Sequence, residues 1–167
     1  MLEIIKEIKY ALKTKHYISA LTLALTLPDI CSQIEIKYEK ETGVRYKKWL
    51  DKHIDKDLFI FPISGFEDNT IDSEKIYSLR CHVLHSGNTN IEENKNININ
   101  KFILLKPDNN PSGYKYEESY DKNGNLIKTS YILVDYLCNI ICDAAENFYN
   151  SWNTSSDFNV FNINFEK

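Results

Sequence analysis

The chain has 167 residues, of which 43% are apolar and 26% are charged, a length that suits one domain with one hydrophobic core. Its formal net charge of −4 argues against a protein that holds nucleic acid through a broad excess of Lys and Arg. Four Cys without a signal-peptide pattern do not indicate a secreted disulfide scaffold, so we expect a reducing, cytoplasmic location. Charged residues or Asn interrupt every apolar stretch, so we expect no membrane association.

Apolar residues at helical spacing predict an α-helical first half. The pattern of residues 2–27 indicates two helices that separate near Thr14. Pro28 ends that run and suits the first turn of a third helix extending to about Tyr38, because proline lacks the N–H that would be unpaired there. After a turn, residues 44–54 form a fourth amphipathic helix that carries several Lys.

A further helix is predicted over residues 74–85. Asp72 or Ser73 can cap its N-terminus, since both side chains accept hydrogen bonds from first-turn N–H groups. Ser-Gly-Asn at residues 86–88 is typical of a helix end. The polar, low-complexity stretch 88–100 is then predicted to be a mobile loop.

The C-terminal part of the chain is predicted to contain a small β insertion and one long helix. β-prone residues across 101–131, interrupted by Asn-Gly, indicate a small antiparallel β-hairpin inserted before the last helix. The helix covers residues 132–152, and residues 158–167 form a tail. The whole chain, 1–167, is therefore interpreted as a single α+β domain that is mainly α.

The helix predicted over residues 74–85 carries an arginine on its apolar face. On a helical wheel, Arg80 lies in the same arc as Leu79. A guanidinium does not lose its proton and is costly to bury alone, so Arg80 must find a carboxylate, a phosphate or a subunit interface. The structural interpretation is an internal ion pair with Asp29 or Asp135.

His85 lies five residues beyond Arg80, in the last turn before Gly87. A helix C-terminus favours imidazolium, which makes His85 a candidate proton donor or phosphate partner, although a lone His there can equally be a solvated capping residue. Five residues correspond to about 140° on an α-helix. The two side chains therefore share a site only if Arg80 reaches around the helix or a second subunit supplies the other half.

The Arg-x4-His pattern followed by Ser-Gly resembles the motif of the HEPN superfamily. In that superfamily the motif marks metal-independent endoribonucleases of toxin–antitoxin, abortive-infection and CRISPR-linked systems. Residues 25–31, 45–49 and 76–87 are similar to the corresponding segments of small bacterial HEPN-type proteins. The similarity covers most helices of the first half, weakens beyond about residue 100, and implies a HEPN-like antiparallel helical bundle.

The resemblance implies RNA cleavage without a metal or other cofactor, by attack of the 2′-hydroxyl on the adjacent phosphorus. Arg80 would stabilise charge on the phosphoryl oxygens, and His85 would act as acid or base. Two motif helices would meet across a homodimer interface to form the site. HEPN proteins usually have Asn or Asp directly after the Arg, whereas this chain has Cys81, so His82 or Ser86 would supply the orienting hydrogen bonds.

Other interpretations stay open at this point. One is a catalytically inactive HEPN-like dimer that binds a partner protein, such as an antitoxin, or a nucleotide. Another is a plain helical interaction domain in which Arg80 forms an internal ion pair. The basic residues near Trp49 either contact RNA or form a solvated helix face; they are Arg45, Lys47, Lys48 and Lys52.

The cysteines do not predict a zinc site or a nucleophile. Cys31, Cys81, Cys138 and Cys142 form no CxxC pair, and free Cys is commonly buried. As a nucleophile, Cys81 would need an oriented base, but residues adjacent in sequence point to different sides of a helix and no orienting acid lies nearby in sequence.

Overall fold

The computed structural model describes residues 1–55, 71–87, 101–107, 119–127 and 129–152. The predicted mobile loop (88–100) and tail (158–167) lie outside the described residues. The described part is α+β and mainly α, as predicted. Its helices are α1 (Leu2–Lys13), α2 (Tyr17–Ala24), α3 (Leu27–Glu35), α4 (Thr42–His53), α5 (Ser73–Cys81) and α6 (Val134–Ser151). Its strands are β1 (Lys101–Leu105), β2 (Ser119–Tyr120), β3 (Leu126–Ile127) and β4 (Thr129–Leu133). A π-helical turn covers His82–Ser86.

The first four helices follow the predicted hydrophobic periodicity. α1 ends at the predicted break, where the Thr14 hydroxyl donates a hydrogen bond to the carbonyl of Tyr10 at 2.9 Å. Pro28 lies in the first turn of α3, as predicted. The helix ends at Glu35 rather than near Tyr38, which is fully exposed and has no apolar contact to hold it in a helix.

The helix that carries the Arg-x4-His motif begins as predicted but ends differently. Asp72 caps α5 by accepting a hydrogen bond from the backbone N–H of Lys75 at 2.8 Å. The predicted helix over residues 74–85 gives way at His82–Ser86 to a π-helical turn, a wider turn that is frequent at functional sites. It ends at Gly87, whose φ of 62° lies in the left-handed region that glycine adopts without a steric cost.

The β segment requires a correction, because it is not one antiparallel hairpin over residues 101–131. β2 pairs antiparallel with β3 across the turn that contains Asn-Gly. β1 instead pairs in parallel with β4, with Leu105 opposite Leu133. A parallel pair needs a long crossover connection, and the chain between β1 and β4 supplies one.

The core forms around α6, which packs against α1, α2 and α3. α6 begins at Val134 rather than at residue 132, because β4 extends through Leu133. The buried apolar residues form one cluster that includes all six helices together with β1 and β4. Within this arrangement α4 packs against both α3 and α5, so the first turn of α3 and the end of α5 lie on the same side of the molecule.

One stretch meets the length and apolarity of a membrane span, contrary to the sequence expectation. Its most apolar window, within Tyr17–Glu35, has a mean hydropathy of 1.2. The stretch is divided into two helices, α2 and α3, and 61% of that window is buried inside the protein. It is therefore consistent with the core of a soluble helical domain.

Candidate functional site

The two residues of the Arg-x4-His motif meet at the end of α5. Nη1 of Arg80 lies 3.0 Å from Nε2 of His85. The separation of about 140° that the sequence predicts applies to a continuous α-helix. Here the π-helical turn follows Cys81 directly, and together with the long Arg side chain it brings the two groups into contact within one chain. A second subunit is not needed for this contact.

Asp29, in the first turn of α3, fixes the guanidinium of Arg80. Nε and Nη2 of Arg80 donate hydrogen bonds to Oδ2 of Asp29 at 3.0 and 2.8 Å. The two side chains are only 16% and 12% exposed. Of the two carboxylates considered from the sequence, the structure therefore pairs Asp29, not Asp135, with Arg80. This pair explains how a cation is accommodated on an apolar helix face.

Two further side chains surround the guanidinium. The ring centroid of Tyr77 lies 6.0 Å from Cζ of Arg80, within reach of a cation–π interaction, and Cys81 contacts both side chains. Partial burial alone would lower the pKa of Arg80. The charge and hydrogen bonds of Asp29, together with the contact from Cys81, outweigh that effect and raise the pKa.

The contact with Arg80 determines the protonation of His85. A guanidinium has donors only, so Nε2 of His85 must accept the hydrogen bond. In this arrangement His85 is neutral and carries its proton on Nδ1. An imidazolium could not form this hydrogen bond, because its Nε2–H would face the N–H of Arg80. His85 is exposed, so a ligand can reach it.

His82 and Ser86 lie close to the motif in sequence but are held differently. Nδ1 of His82 donates a hydrogen bond to the carbonyl of Ser78 at 2.7 Å, which ties the ring to its own helix. Ser86 is exposed at the end of the π-helical turn. Within the described residues no hydrogen bond joins either side chain to the guanidinium or imidazole of the motif, so their orienting role stays a prediction.

Tyr77 connects the motif helix to α4. Its ring lies 5.3 Å from that of Tyr46, centroid to centroid, and Tyr46 is anchored because its hydroxyl donates to the carbonyl of Leu25 at 3.1 Å. A Cβ atom at Gly43 would lie 2.9 Å from the Tyr77 ring. The close approach of α4 and α5 therefore requires glycine at residue 43.

The basic residues of α4 are engaged by groups of the same chain. This is what a solvated helix face predicts, and it leaves fewer open charges for an RNA surface than the sequence suggests. The ion pairs are Lys47–Glu74, Lys48–Glu39 at 2.8 Å and Lys52–Glu35, and Nη1 of Arg45 donates to the carbonyl of Glu39 at 3.0 Å.

The cysteines and the other metal-binding side chains do not form a site in the described residues. Cys31, Cys138 and Cys142 are buried, and burial raises the pKa of all three thiols, that of Cys142 to about 12. No group of three or more His, Cys, Asp or Glu in residues 1–55, 71–87, 101–107, 119–127 and 129–152 is arranged to hold a metal ion.

Sequence reasoning missed two contributors to this arrangement. It gave Tyr77 no role and did not foresee the π-helical turn, whereas it named Asp29 as one possible ion-pair partner of Arg80. A signal for Asp29 was present, because a cation in an apolar arc needs a buried carboxylate. The spacing of five residues between Arg80 and His85 is itself compatible with the i to i+5 bonding of a π turn.

Comparison of the chain with models of known protein families, with curated protein sequences and with solved structures finds no match. The interpretation of the site therefore depends on its residues and on their geometry.

Proposed function

We propose that the chain is a metal-independent endoribonuclease of HEPN type in which Arg80 and His85 are the catalytic residues. The observation that carries this proposal is the 3.0 Å contact between Nη1 of Arg80 and Nε2 of His85. An arginine needed only for stability would be satisfied by Asp29. Here the same guanidinium also reaches an exposed imidazole, and both are groups that phosphodiester cleavage uses.

Arg80 has hydrogen-bonding capacity left for a substrate. A guanidinium carries five N–H donors, and the three contacts described above use one each on Nε, Nη1 and Nη2. One donor on each of Nη1 and Nη2 is left for the non-bridging oxygens of a phosphodiester. Because Asp29 holds the guanidinium in place, its charge is positioned before the negative charge of the transition state develops.

His85 is in the protonation state that a general base requires. When RNA binds, Nη1 of Arg80 would turn from Nε2 of His85 to a phosphoryl oxygen, which would free the lone pair of Nε2. Nε2 would then take the proton of the 2′-hydroxyl as the new O–P bond forms. The bond to the 5′-oxygen breaks, and that oxygen must receive a proton. In a homodimer, His85 of the second copy would supply it from the imidazolium form. The products would be a 2′,3′-cyclic phosphate and a 5′-hydroxyl, with the proton balance restored between the two imidazoles.

The HEPN resemblance also suggests a setting for this activity. We place the protein in the cytoplasm, in phage defence or a toxin–antitoxin system, with an antitoxin or another protein as its regulatory partner. The support for this setting is the sequence motif alone. The proposed homodimer is tested directly by measuring the mass of the full chain in solution by light scattering.

The cleavage proposal is tested with the purified full chain, a mixed RNA substrate and EDTA. Wild type should cleave RNA, and His85→Ala should lower the rate by about 100-fold or more, the usual contribution of a general acid or base. His16→Ala, which removes an exposed histidine outside the site, should keep the wild-type rate. Absence of cleavage by wild type, or cleavage that survives His85→Ala, would contradict the proposal.

A plain helical interaction domain without catalytic activity is the second candidate, and the Arg80–Asp29 ion pair favours it. That pair alone accounts for an arginine on an apolar helix face, and the paired lysines of α4 reduce the charge open to RNA. This candidate predicts that wild type does not cleave RNA and that Arg80→Ala acts only on stability. The same RNA assay, combined with urea unfolding, therefore separates the two candidates.

A further inference from the structure

The outer edge of β1 is open to a further strand. β1 pairs in parallel with β4, and among the described residues no other segment exchanges backbone hydrogen bonds with Lys101–Leu105. In such a pair every second residue directs its N–H and C=O toward the partner strand, and the residues between them direct theirs outward. β1 therefore presents a row of backbone donors and acceptors with which a third strand can pair.

The side chains of β1 do not protect this edge. Residues 102–105 are Phe-Ile-Leu-Leu, a run without a charge, a proline or a glycine. Edge strands that are kept from pairing usually carry such residues within the strand. Ile103 and Leu104 are only partly buried, so a strand added beside β1 would cover apolar surface that is now exposed to water.

A lysine lies at each end of this apolar run. Lys101 and Lys106 are both exposed. In the part of the chain that the structure describes, neither of them forms an ion pair with a carboxylate. Opposite charges on neighbouring strands attract each other, so the two lysines favour a strand with an acidic residue at each end.

The same lysines disfavour a second copy of this chain at the edge. In antiparallel pairing of two β1 strands, Lys101 of one copy would lie beside Lys106 of the other. In parallel pairing in register, each lysine would lie opposite its own counterpart. Like charges on paired strands are destabilising, so the charges of β1 favour a strand from a different, acidic partner.

A cavity at the end of the sheet offers space for a side chain of the added strand. Its volume is about 360 Å³, and it is lined by Leu104 and Lys106 together with Val134, the residue that follows β4. Ile18 of α2 also lines the cavity and is 64% exposed. Where a strand is added to a sheet edge, pockets of this kind select its side chains. An apolar residue next to an acidic one would fit the cavity and Lys106 together.

We propose that the outer edge of β1 binds an extended segment of another protein that has apolar residues in its centre and acidic residues at its ends. The segment adds a third strand to the sheet. Its backbone pairs with β1, its acidic ends pair with Lys101 and Lys106, and one apolar side chain enters the cavity. The proposal is independent of RNA cleavage by Arg80 and His85, because no residue of β1 belongs to that site.

The test is a titration of the full chain with a short labelled peptide, followed by fluorescence anisotropy. The peptide alternates valine with threonine and carries two glutamates at each end. Wild type should bind it saturably, and a peptide with lysines in place of the glutamates should bind at least about tenfold more weakly, because attractive ion pairs become repulsive ones. Binding should also slow the hydrogen exchange of β1 amides measured by NMR.

Two N-methylated forms of the glutamate peptide test the backbone pairing. In one form the odd-numbered residues of the peptide lack their N–H groups, and in the other form the even-numbered residues lack them. Only one of these sets faces β1 in an added strand, so one form should lose binding and the other should keep it. Equal affinities of the two forms would overturn the proposal.

Two double variants test the charges. Lys101→Glu with Lys106→Glu should reverse the preference, so that the lysine peptide binds more tightly than the glutamate peptide. Lys40→Glu with Lys122→Glu makes the same change at exposed residues of the α3–α4 connection and the β2–β3 turn, and it should leave the affinities within about twofold of wild type.

Four further results would overturn the proposal. They are absence of saturable binding by wild type, unchanged hydrogen exchange in β1, an unreversed preference in the β1 double variant, and protection of β1 amides that rises with the concentration of the chain alone. The last result would mean that a second copy covers the edge.

Discussion

The Arg80 site and the basic face of α4 contain the same kinds of charged groups but hold them in different surroundings. Arg80 and Asp29 are 16% and 12% exposed, so water screens their attraction little. On α4, Lys48 and its partner Glu39 are 57% and 27% exposed, and an ion pair of that kind contributes about 0–1 kcal/mol. Both regions therefore contain ion pairs, but only the pair at the Arg80 site holds its side chain, that of Arg80, in a single geometry.

The ion pair with Asp29 holds Arg80 in one position, whereas the ion pairs of α4 only neutralise the charge of their lysines. Asp29 uses two of the donors of Arg80 and leaves the guanidinium pointing at His85. Preorganisation of this type is what a catalytic site requires. The lysines of α4 can exchange their carboxylates for another anion at little cost, so in the proposed nuclease they would attract RNA but take no part in the chemistry.

The largest effect is expected when one partner of the buried pair is removed. Asp29→Ala leaves the guanidinium of Arg80, which is only 16% exposed, without its carboxylate, and we expect the free energy of unfolding to fall by about 3 kcal/mol. In Asp29→Ala with Arg80→Ala the loss should be clearly smaller than the sum of the two single losses. Urea unfolding followed by circular dichroism measures all three variants.

The same double-mutant cycle on Lys48 and Glu39 is the control. That pair is exposed, and its coupling should be about 0.5 kcal/mol. Equal coupling energies in the two cycles would show that burial does not distinguish the regions and would remove the basis for treating Asp29 as a positioning residue.

The features that sequence predicted correctly depend on local signals. Hydrophobic spacing located the first four helices. Asp72 was one of the two caps proposed for the fifth, because capping involves only the first turn that follows the cap. The break at Thr14 and the start of α3 at Pro28 are likewise set by residues within one turn. Each of these signals depends on only a few consecutive residues, so the sequence alone is enough to find it.

The features that sequence missed depend on packing between distant segments. The parallel pairing of β1 with β4 joins strands separated by the whole β2–β3 hairpin, and no local pattern specifies it. The choice of Asp29 over Asp135 follows from the way α3 and α5 lie against α4. The π-helical turn lets Arg80 bind Asp29 and His85 at once, so the contact between the motif residues also depends on tertiary structure.

An intermediate loss of stability is expected where α4 contacts α5, next to the Arg80 site. Gly43 lies on α4, and a Cβ atom there would come within 2.9 Å of the Tyr77 ring beside Arg80. We therefore expect Gly43→Ala to destabilise the protein by about 2 kcal/mol, the usual cost of overpacking, despite the better helix propensity of Ala. Urea unfolding of the single variant measures the cost.

A shorter side chain on α5 is the control for this prediction. In a Tyr77→Leu background the ring that would collide with the new methyl group is absent, so the cost of Gly43→Ala should largely disappear. A neutral or stabilising Gly43→Ala in the wild-type background would mean that α4 and α5 separate easily and do not hold Tyr77 against the guanidinium of Arg80.

The smallest effect concerns Glu35, which pairs with Lys52 and His53 at the end of α4. Partial burial alone would raise the pKa of Glu35, but hydrogen bonds from Lys52 and His53 outweigh it and lower the pKa below its usual value of 4.5. The unfolded chain then binds the proton more readily than the folded one. The stability that this carboxylate contributes is therefore present above about pH 4.5 and is lost as the pH falls through the folded-state pKa.

The measurement compares urea unfolding of wild type and Glu35→Gln from pH 7 to pH 3. Wild type should be the more stable at pH 7, and the difference should narrow below about pH 4.5 because Glu35 becomes neutral in both states. Glu41→Gln removes an equivalent charge from an exposed residue at the start of α4 and serves as the control. A difference that grows as the solution becomes more acidic would mean that burial, and not the two cations, dominates at Glu35. The cations of α4 would then fail to outweigh burial at Glu35, in contrast to Asp29 beside Arg80.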